Sequence, residues 1–210
     1  MDVKSISHYR SSQKILLVGE GDFSFSLCLA RAFGTAVNVV ATSLDSKVSL
    51  ALNYKNALSN LSELETLGCT IVHDVDVHTM AEHPLLKHQH FDCIIYNFPH
   101  AGFISRESDA FMIRLHQNLV SGFFQNAKRL LSTFGRIHIT HKTSYPFSQW
   151  NIKALASCEG LELDKEVNFN IYDYPGYNNK RGSGIQCDQS FPVGKCSTFL
   201  FSINFAVQQF

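Results

Sequence analysis

The feature that most constrains this chain is an alternation: short apolar runs of strand length recur between longer segments whose apolar residues fall at helical spacing. Parallel strands need crossovers of a dozen or more residues, so the pattern predicts a mainly parallel sheet with helices on both faces. The first run, residues 14–18 (KILLV), shows no polar alternation and reads as a strand buried on both sides. A helix over 23–33 follows and stops at Gly34. Further strands are read at 37–42, 69–73, 92–96, 136–140, 161–169 and 198–205. A helix over 47–67 carries Leu50, Tyr54, Ala57, Leu58, Leu61 and Leu64 on one face. Another over 109–133 carries Phe111, Leu115, Leu119, Phe123 and Leu130 along its inner stripe and ends at Gly135, and a last one covers 150–158. Only a loop separates the final two strands, so they are expected to run antiparallel. The fold class is a doubly wound, Rossmann-like α/β fold, with seven strands, mostly parallel, and an antiparallel last strand.

A chain of 210 residues with 45% hydrophobic content fits one core, read as a single domain over 14–210 behind a polar segment, 1–13. Eighteen basic and eighteen acidic residues balance, which excludes a long electrostatic footprint on nucleic acid; any RNA contact must be local. The start has no apolar run of signal-peptide length, and six cysteines without a C-x-x-C pair read as buried thiols of a reducing compartment. The expected location is therefore intracellular, cytoplasmic or nucleolar. His83, His88 and His90 crowd one polar connection and read as solvated, so no metal is expected.

In open α/β sheets, ligands bind beyond the carboxyl ends of the strands, which selects the loops to read. The first holds Gly19, Glu20, Gly21, Asp22, Phe23 and Ser24 between a strand and a helix. Two glycines allow a tight turn and close backbone approach, and a helix N-terminus favours an anionic group. Ser24 stands where the dinucleotide fingerprint has its third glycine, which weakens a pyrophosphate reading. After the second strand, Asp45 can accept the ribose hydroxyls of a nucleoside cofactor, or it can cap the next helix as Ser43 and Ser46 also can. Asp74 and Asp76 are placed to receive an adenine amine, with Asp76 favoured and Val77 as an apolar wall. Asn97, Phe98, Pro99 and His100 end a buried strand. In methyltransferases acting on base nitrogens, a sequence of this type holds the target: the amide takes its hydrogens and the aromatic ring stacks on it. His141 and Lys142 sit at the end of the fifth strand, with His138 on its polar face. Tyr174, Tyr177, Lys180 and Arg181 lie in a glycine-rich loop suited to stacking on an unpaired base and meeting phosphate.

Taken together, GEGDFSFS, ATSLDS, NFPHAG, THK, YPGYNNKRG and FPVG-x-C-S-TF resemble the large-subunit (25S) rRNA uridine-N3 methyltransferase-like family, over residues 14–204. The resemblance implies a class I methyltransferase fold, S-adenosylmethionine as methyl donor and N3 of a uridine in ribosomal RNA as acceptor. On that basis the cofactor is expected across Gly19 to Asp22, its ribose on Asp45 and its adenine near Asp76. Asn97 and Phe98 are expected to hold the base, His100 to take the proton, with His141 as alternative, and Lys142 to stabilise charge. Two other readings share the first loop: a nicotinamide-dependent oxidoreductase, and a non-catalytic module that binds S-adenosylmethionine or RNA.

Overall fold

A computed structural model describes residues 2–204. Among them, β1 (Ser5–Ile6) and β2 (Tyr9–Arg10) form an antiparallel hairpin. Strands β3 (Ile15–Val18), β4 (Val39–Thr42), β5 (Thr70–Val72), β6 (Phe91–Asn97), β7 (Leu131–Lys142), β8 (Leu161–Asn168) and β9 (Cys196–Ile203) form a seven-stranded mixed sheet in the order β5-β4-β3-β6-β7-β9-β8. The helices are α1 (Ser24–Phe33), α2 (Lys47–Asn53), α3 (Ala57–Thr66), α4 (Ala110–Ala127) and α5 (Ile152–Cys158). As the loop connection predicts, β9 runs antiparallel to both β7 and β8. The expected last strand reached Phe205, which lies outside the described residues. By its contacts the chain divides into two compact units, Met1–Asp76 with Asn170–Pro192, and Val77–Phe169 with Val193–Phe210.

In the first unit β3 and β5 flank β4 in parallel, with Leu16 opposite Val40 and Ala41 opposite Ile71. Every residue of β3 and β4 is buried, which is why the sequence there shows no polar alternation. Helix α1 buries Phe25, Leu29 and Phe33 and closes on Gly34, whose left-handed backbone lets its N–H reach the Ala30 and Arg31 carbonyls. Residues 5–10, read only as polar, form the hairpin, and Tyr9 packs edge-on against Phe25. The single helix expected over 47–67 is two, α2 and α3, parted at Tyr54, whose backbone is extended and whose ring is buried. The break restarts the helical phase, so Leu58 is 48% exposed while Ala57, Leu61 and Leu64 are buried.

In the second unit β6 and β7 pair in parallel, with Ile94 opposite Ile137 and Asn97 opposite Thr140. Helix α4 ends at Ala127, and after a 3-10 turn the chain is already in β7 from Leu131, so the expected helix to residue 133 is too long. The expected inner stripe holds at Phe123 and Leu130, which are buried, but is out of phase over the first turns of α4. Phe111 is exposed, and the buried line runs through Met112, His116, Val120, Phe123 and Ala127. The shift follows from His116, a polar residue that a hydrophobic count excludes from a core and that is nevertheless fully buried. Gly135 is a strand residue, where the β6–β7 register shifts between Phe91 and Cys93. A Cβ at Gly135 would lie 2.7 Å from the Phe91 carbonyl oxygen and 2.9 Å from the Leu131 side chain. Gly135→Ala is therefore expected to destabilise the protein by about 1–3 kcal/mol. Urea unfolding should show a lower midpoint at an unchanged slope; an unchanged midpoint would mean that this close approach is not needed.

Candidate functional site

In the first unit the loops after β3, β4 and β5 are tied together by Ser43. Its hydroxyl donates to the Glu20 carbonyl at 2.6 Å, its N–H to the Val72 carbonyl at 3.1 Å, and its carbonyl accepts from Val75 N–H at 3.0 Å. Gly19 has φ 67°, a conformation that favours glycine. Gly21 does not, and a Cβ there would make ordinary contact with the Tyr54 ring at 3.4 Å and Lys180 Cβ at 3.5 Å. Phe23, fully buried, precedes α1 in a left-handed conformation and caps nothing. The helix start is instead filled by carboxylates. Asp22 Oδ1 accepts from Ser24 N–H at 3.0 Å, and Glu20 Oε2 accepts from Ser26 N–H at 3.0 Å and from its hydroxyl at 2.6 Å. Burial pushes the Glu20 carboxyl up to about 7 and raises that of Asp22.

This arrangement corrects the expectation of an anion site at the start of α1. Two of its first three N–H groups are taken by the chain's own acids, so a pyrophosphate would meet occupied donors and negative charge. The remaining Asp22 oxygen is buried, makes no hydrogen bond among the described residues and faces a cation, Lys180 Nζ, at 3.7 Å. Asp45 is not the cap of α2. Ser46 caps α2 by accepting from Ser49 N–H, and the Asp45 carboxylate makes no hydrogen bond among the described residues. Partial burial, then the nearby Asp74, raise its affinity for a proton. Asp74 (φ 58°) and Asp76 are exposed around buried Val75.

In the second unit β6 ends at Asn97, whose Oδ1 and Nδ2 are both buried and, among the described residues, without a hydrogen-bond partner. Such a group costs about 1–3 kcal/mol if it stays unpaired. Phe98 follows with φ 49°, its N–H held by the Thr140 carbonyl at 2.8 Å and its ring edge-on to Phe169; Pro99 is buried. His100 Nδ1 accepts from Gly102 N–H at 3.1 Å, and its Nε2 lies 2.6 Å from Glu107 Oε1. The other Glu107 oxygen meets His116 Nε2 at 3.1 Å. Burial raises the Glu107 carboxyl, but hydrogen bonds from His100 and His116 outweigh it and hold the group at about 2. His116 stacks on Trp150 at 4.0 Å between centroids, and His141 contacts the same indole at 4.2 Å. Burial pushes His141 down to about 4, and its Nε2 lies 3.1 Å from the Phe147 carbonyl. Lys142 lies over the Phe147 ring, at a cleft of about 400 Å³ that Lys153 and Phe199 also line.

The profile of the family described as BMT5-like, rRNA (uridine-N3-)-methyltransferase BTM5-like, matches residues 16–181. The chain belongs to the BMT5-like family. An uncharacterized protein of Arabidopsis thaliana is 54% identical over 95% of this chain and 97% of its own. The 25S rRNA (uridine(2634)-N(3))-methyltransferase of Saccharomyces cerevisiae is 25% identical over 85% of this chain and 68% of its own. A methyltransferase structure from Pyrococcus furiosus, 15% identical, covers 91% of this chain and 75% of its own with a TM-score of 0.55. The fold is thus the seven-stranded, mixed-sheet class I methyltransferase fold.

For this BMT5-like chain the structure reassigns several expected residues. Tyr174 is 4% exposed and packs on Phe25 and Tyr9, and Tyr177 meets Phe25 edge-on at 5.0 Å, so neither is disposed as a surface platform for a base. Lys180 pairs with Asp188 at 2.7 Å and lies near Asp22, and Arg181 N–H donates to the Gln189 carbonyl at 2.9 Å. Val77 is buried in the second unit. His100 is no general base here, because its acceptor nitrogen already takes a backbone N–H. Sequence reading missed Glu107 and His116; among the described residues they form with His100 the cluster able to offer three metal-donor atoms within 4.8 Å. The signal that could have found them is a histidine in the apolar phase of α4. One pH dependence follows from Glu20. The folded state holds its extra proton between about 4.5 and 7, so this stability is present at low pH and is lost as pH rises through 7, by about 3 kcal/mol. Glu20→Gln removes the titration and should gain on the wild type in urea melts from pH 4.5 to 8; a constant difference would contradict the assignment.

Proposed function

We propose that the chain uses S-adenosylmethionine to methylate N3 of an unpaired uridine in RNA, with large-subunit ribosomal RNA as substrate. Family membership and the named yeast relative support the reaction class. The observation that carries the substrate is Asn97: a buried amide with both atoms unpaired matches the imide edge of uracil, which offers one N–H between two carbonyls. Its oxygen would accept the N3 hydrogen and its nitrogen would donate to a ring carbonyl. The left-handed Phe98 backbone is strain of the kind that functional sites hold.

The residues of the first unit fit the cofactor. Asp45 is open to ribose hydroxyls, and the Asp22 oxygen that faces Lys180 without a hydrogen bond would have to be shared with the ammonium of the amino-acid moiety, whereas a dinucleotide would find the α1 donors taken. When bound, the cofactor supplies an electrophilic methyl group. Asn97 would hold the uracil nitrogen that receives the methyl group, and the N3 proton would pass to solvent. Lys142 would stabilise the charge that develops on a ring carbonyl. His141 is neutral throughout the physiological range and too weak a base to hold that proton. Among the described residues no helix is long and apolar enough to cross a membrane.

Two substitutions separate the roles. Asp45→Ala should weaken S-adenosylhomocysteine binding about 10- to 100-fold in calorimetry, the loss of hydrogen bonds to a charged acceptor, without unfolding α2. Asn97→Ala should leave that affinity intact and abolish methyl transfer to a uridine-containing RNA. Turnover retained in the Asn97 variant would refute the base-holding role, and unchanged cofactor affinity at Asp45 would refute the ribose contact.

A further inference from the structure

The loop that follows Asn97 is held by a network that none of the roles above employs. Ala101 and Gly102 present consecutive backbone N–H groups. The first donates to His116 Nδ1 and the second to His100 Nδ1, each at 3.1 Å. An imidazole nitrogen that accepts a hydrogen bond carries no proton, so in both rings the proton sits on Nε2. Both Nε2 atoms meet the same carboxylate, one on each Glu107 oxygen, at 2.6 and 3.1 Å. The circuit closes: two amide donors, two imidazoles and one acid satisfy one another. His116 is fully buried in α4 and is braced by Trp150, while His100 is stacked on Phe103 at 4.1 Å between centroids.

These three side chains also have the composition of a metal site, and the hydrogen bonds argue against that use. A metal on Nε2 leaves the proton on Nδ1, which normally donates to a carbonyl or carboxylate. Here both Nδ1 atoms face backbone donors, so metal binding would set hydrogen against hydrogen or require two imidazolates.

We propose that Glu107 and His116 are positioning residues, which lock His100 and the backbone of residues 101 and 102 through two neutral imidazoles and so fix the strained turn that carries Asn97. The carboxylate selects the tautomer, and the tautomer creates the acceptor for the loop. His100 is the loop-side member of this clamp. The claim rests on the base-holding role of Asn97 and adds what holds that residue in place. A misplacement of about 1 Å in such a group can lower turnover about 10²-fold.

The test uses the full chain with His116→Phe, which keeps a ring against Trp150 and removes the acceptor, and Glu107→Gln, which disturbs the proton pattern. Nitrogen-15 NMR of the wild-type histidines should show His100 and His116 as neutral Nε2–H tautomers. In both variants kcat for RNA methylation should fall about 10²-fold with S-adenosylhomocysteine affinity unchanged, and Ala101 and Gly102 amides should exchange faster with solvent. An unchanged kcat beside an active wild type overturns the positioning role. Nδ1–H tautomers, unchanged amide exchange, or stoichiometric zinc binding that Glu107→Gln abolishes overturns the clamp itself. If the wild type methylates no RNA, the proposed reaction fails, and the tautomer and exchange measurements still decide whether the clamp exists.

Discussion

Two acids turned inward at the start of α1 constrain how the first unit can be used. Glu20 and Asp22 lie nearly out of solvent and take the N–H groups of Ser26 and Ser24, which a dinucleotide-binding loop leaves open for phosphate. The same Rossmann-like backbone is thereby turned from an anion site toward one that tolerates positive charge. Ser43 then ties the loops after β3, β4 and β5 to one another through three hydrogen bonds. Because Ser46 caps α2, Asp45 is left available. The cofactor reading therefore rests on which hydrogen-bonding groups are already satisfied and which are not, more than on the glycines.

A related economy governs the second unit, where histidines hold structure. His116 stacks on Trp150, His141 meets the same indole at a tilt, and burial disfavours a charge on His141. Glu107 joins His116 to His100, whose ring nitrogens are both engaged. Three polar side chains that would suit acid–base chemistry are consumed in fixing a loop, and the amide beside them, Asn97, has no hydrogen-bond partner among the described residues. Trp150 Nε1 is also buried without a hydrogen bond among the described residues, but Asn97 differs in leaving both a donor and an acceptor unpaired beside the loop.

Much of the architecture could be read from apolar runs alone. Fully buried strands such as ILLV carry their own signature, and the loop between the last two strands foretold the antiparallel β9. What escaped were features that depend on partners distant in sequence. The Tyr54 break between α2 and α3, the strand role of Gly135 and the phase of α4 are each set by tertiary contact, and His116 could enter the core only because Glu107 and Ala101 receive it. For the site, the loop positions were legible because strand ends select them, while the state of each side chain was not. Tyr174 and Tyr177 looked like a base platform because aromatic residues in a glycine-rich loop suit stacking, yet their partner is Phe25 in α1. His100 looked like a base because sequence does not show that Gly102 occupies its lone pair.

Methylation at one atom of one nucleobase is decided by identifying the methylated nucleoside. Purified protein, methyl-labelled S-adenosylmethionine and large-subunit ribosomal RNA lacking the modification would be incubated, and the RNA digested for mass spectrometry. Label is expected in N3-methyluridine and in no other nucleoside. Label on another base or on ribose, or none while S-adenosylhomocysteine still binds, would contradict it.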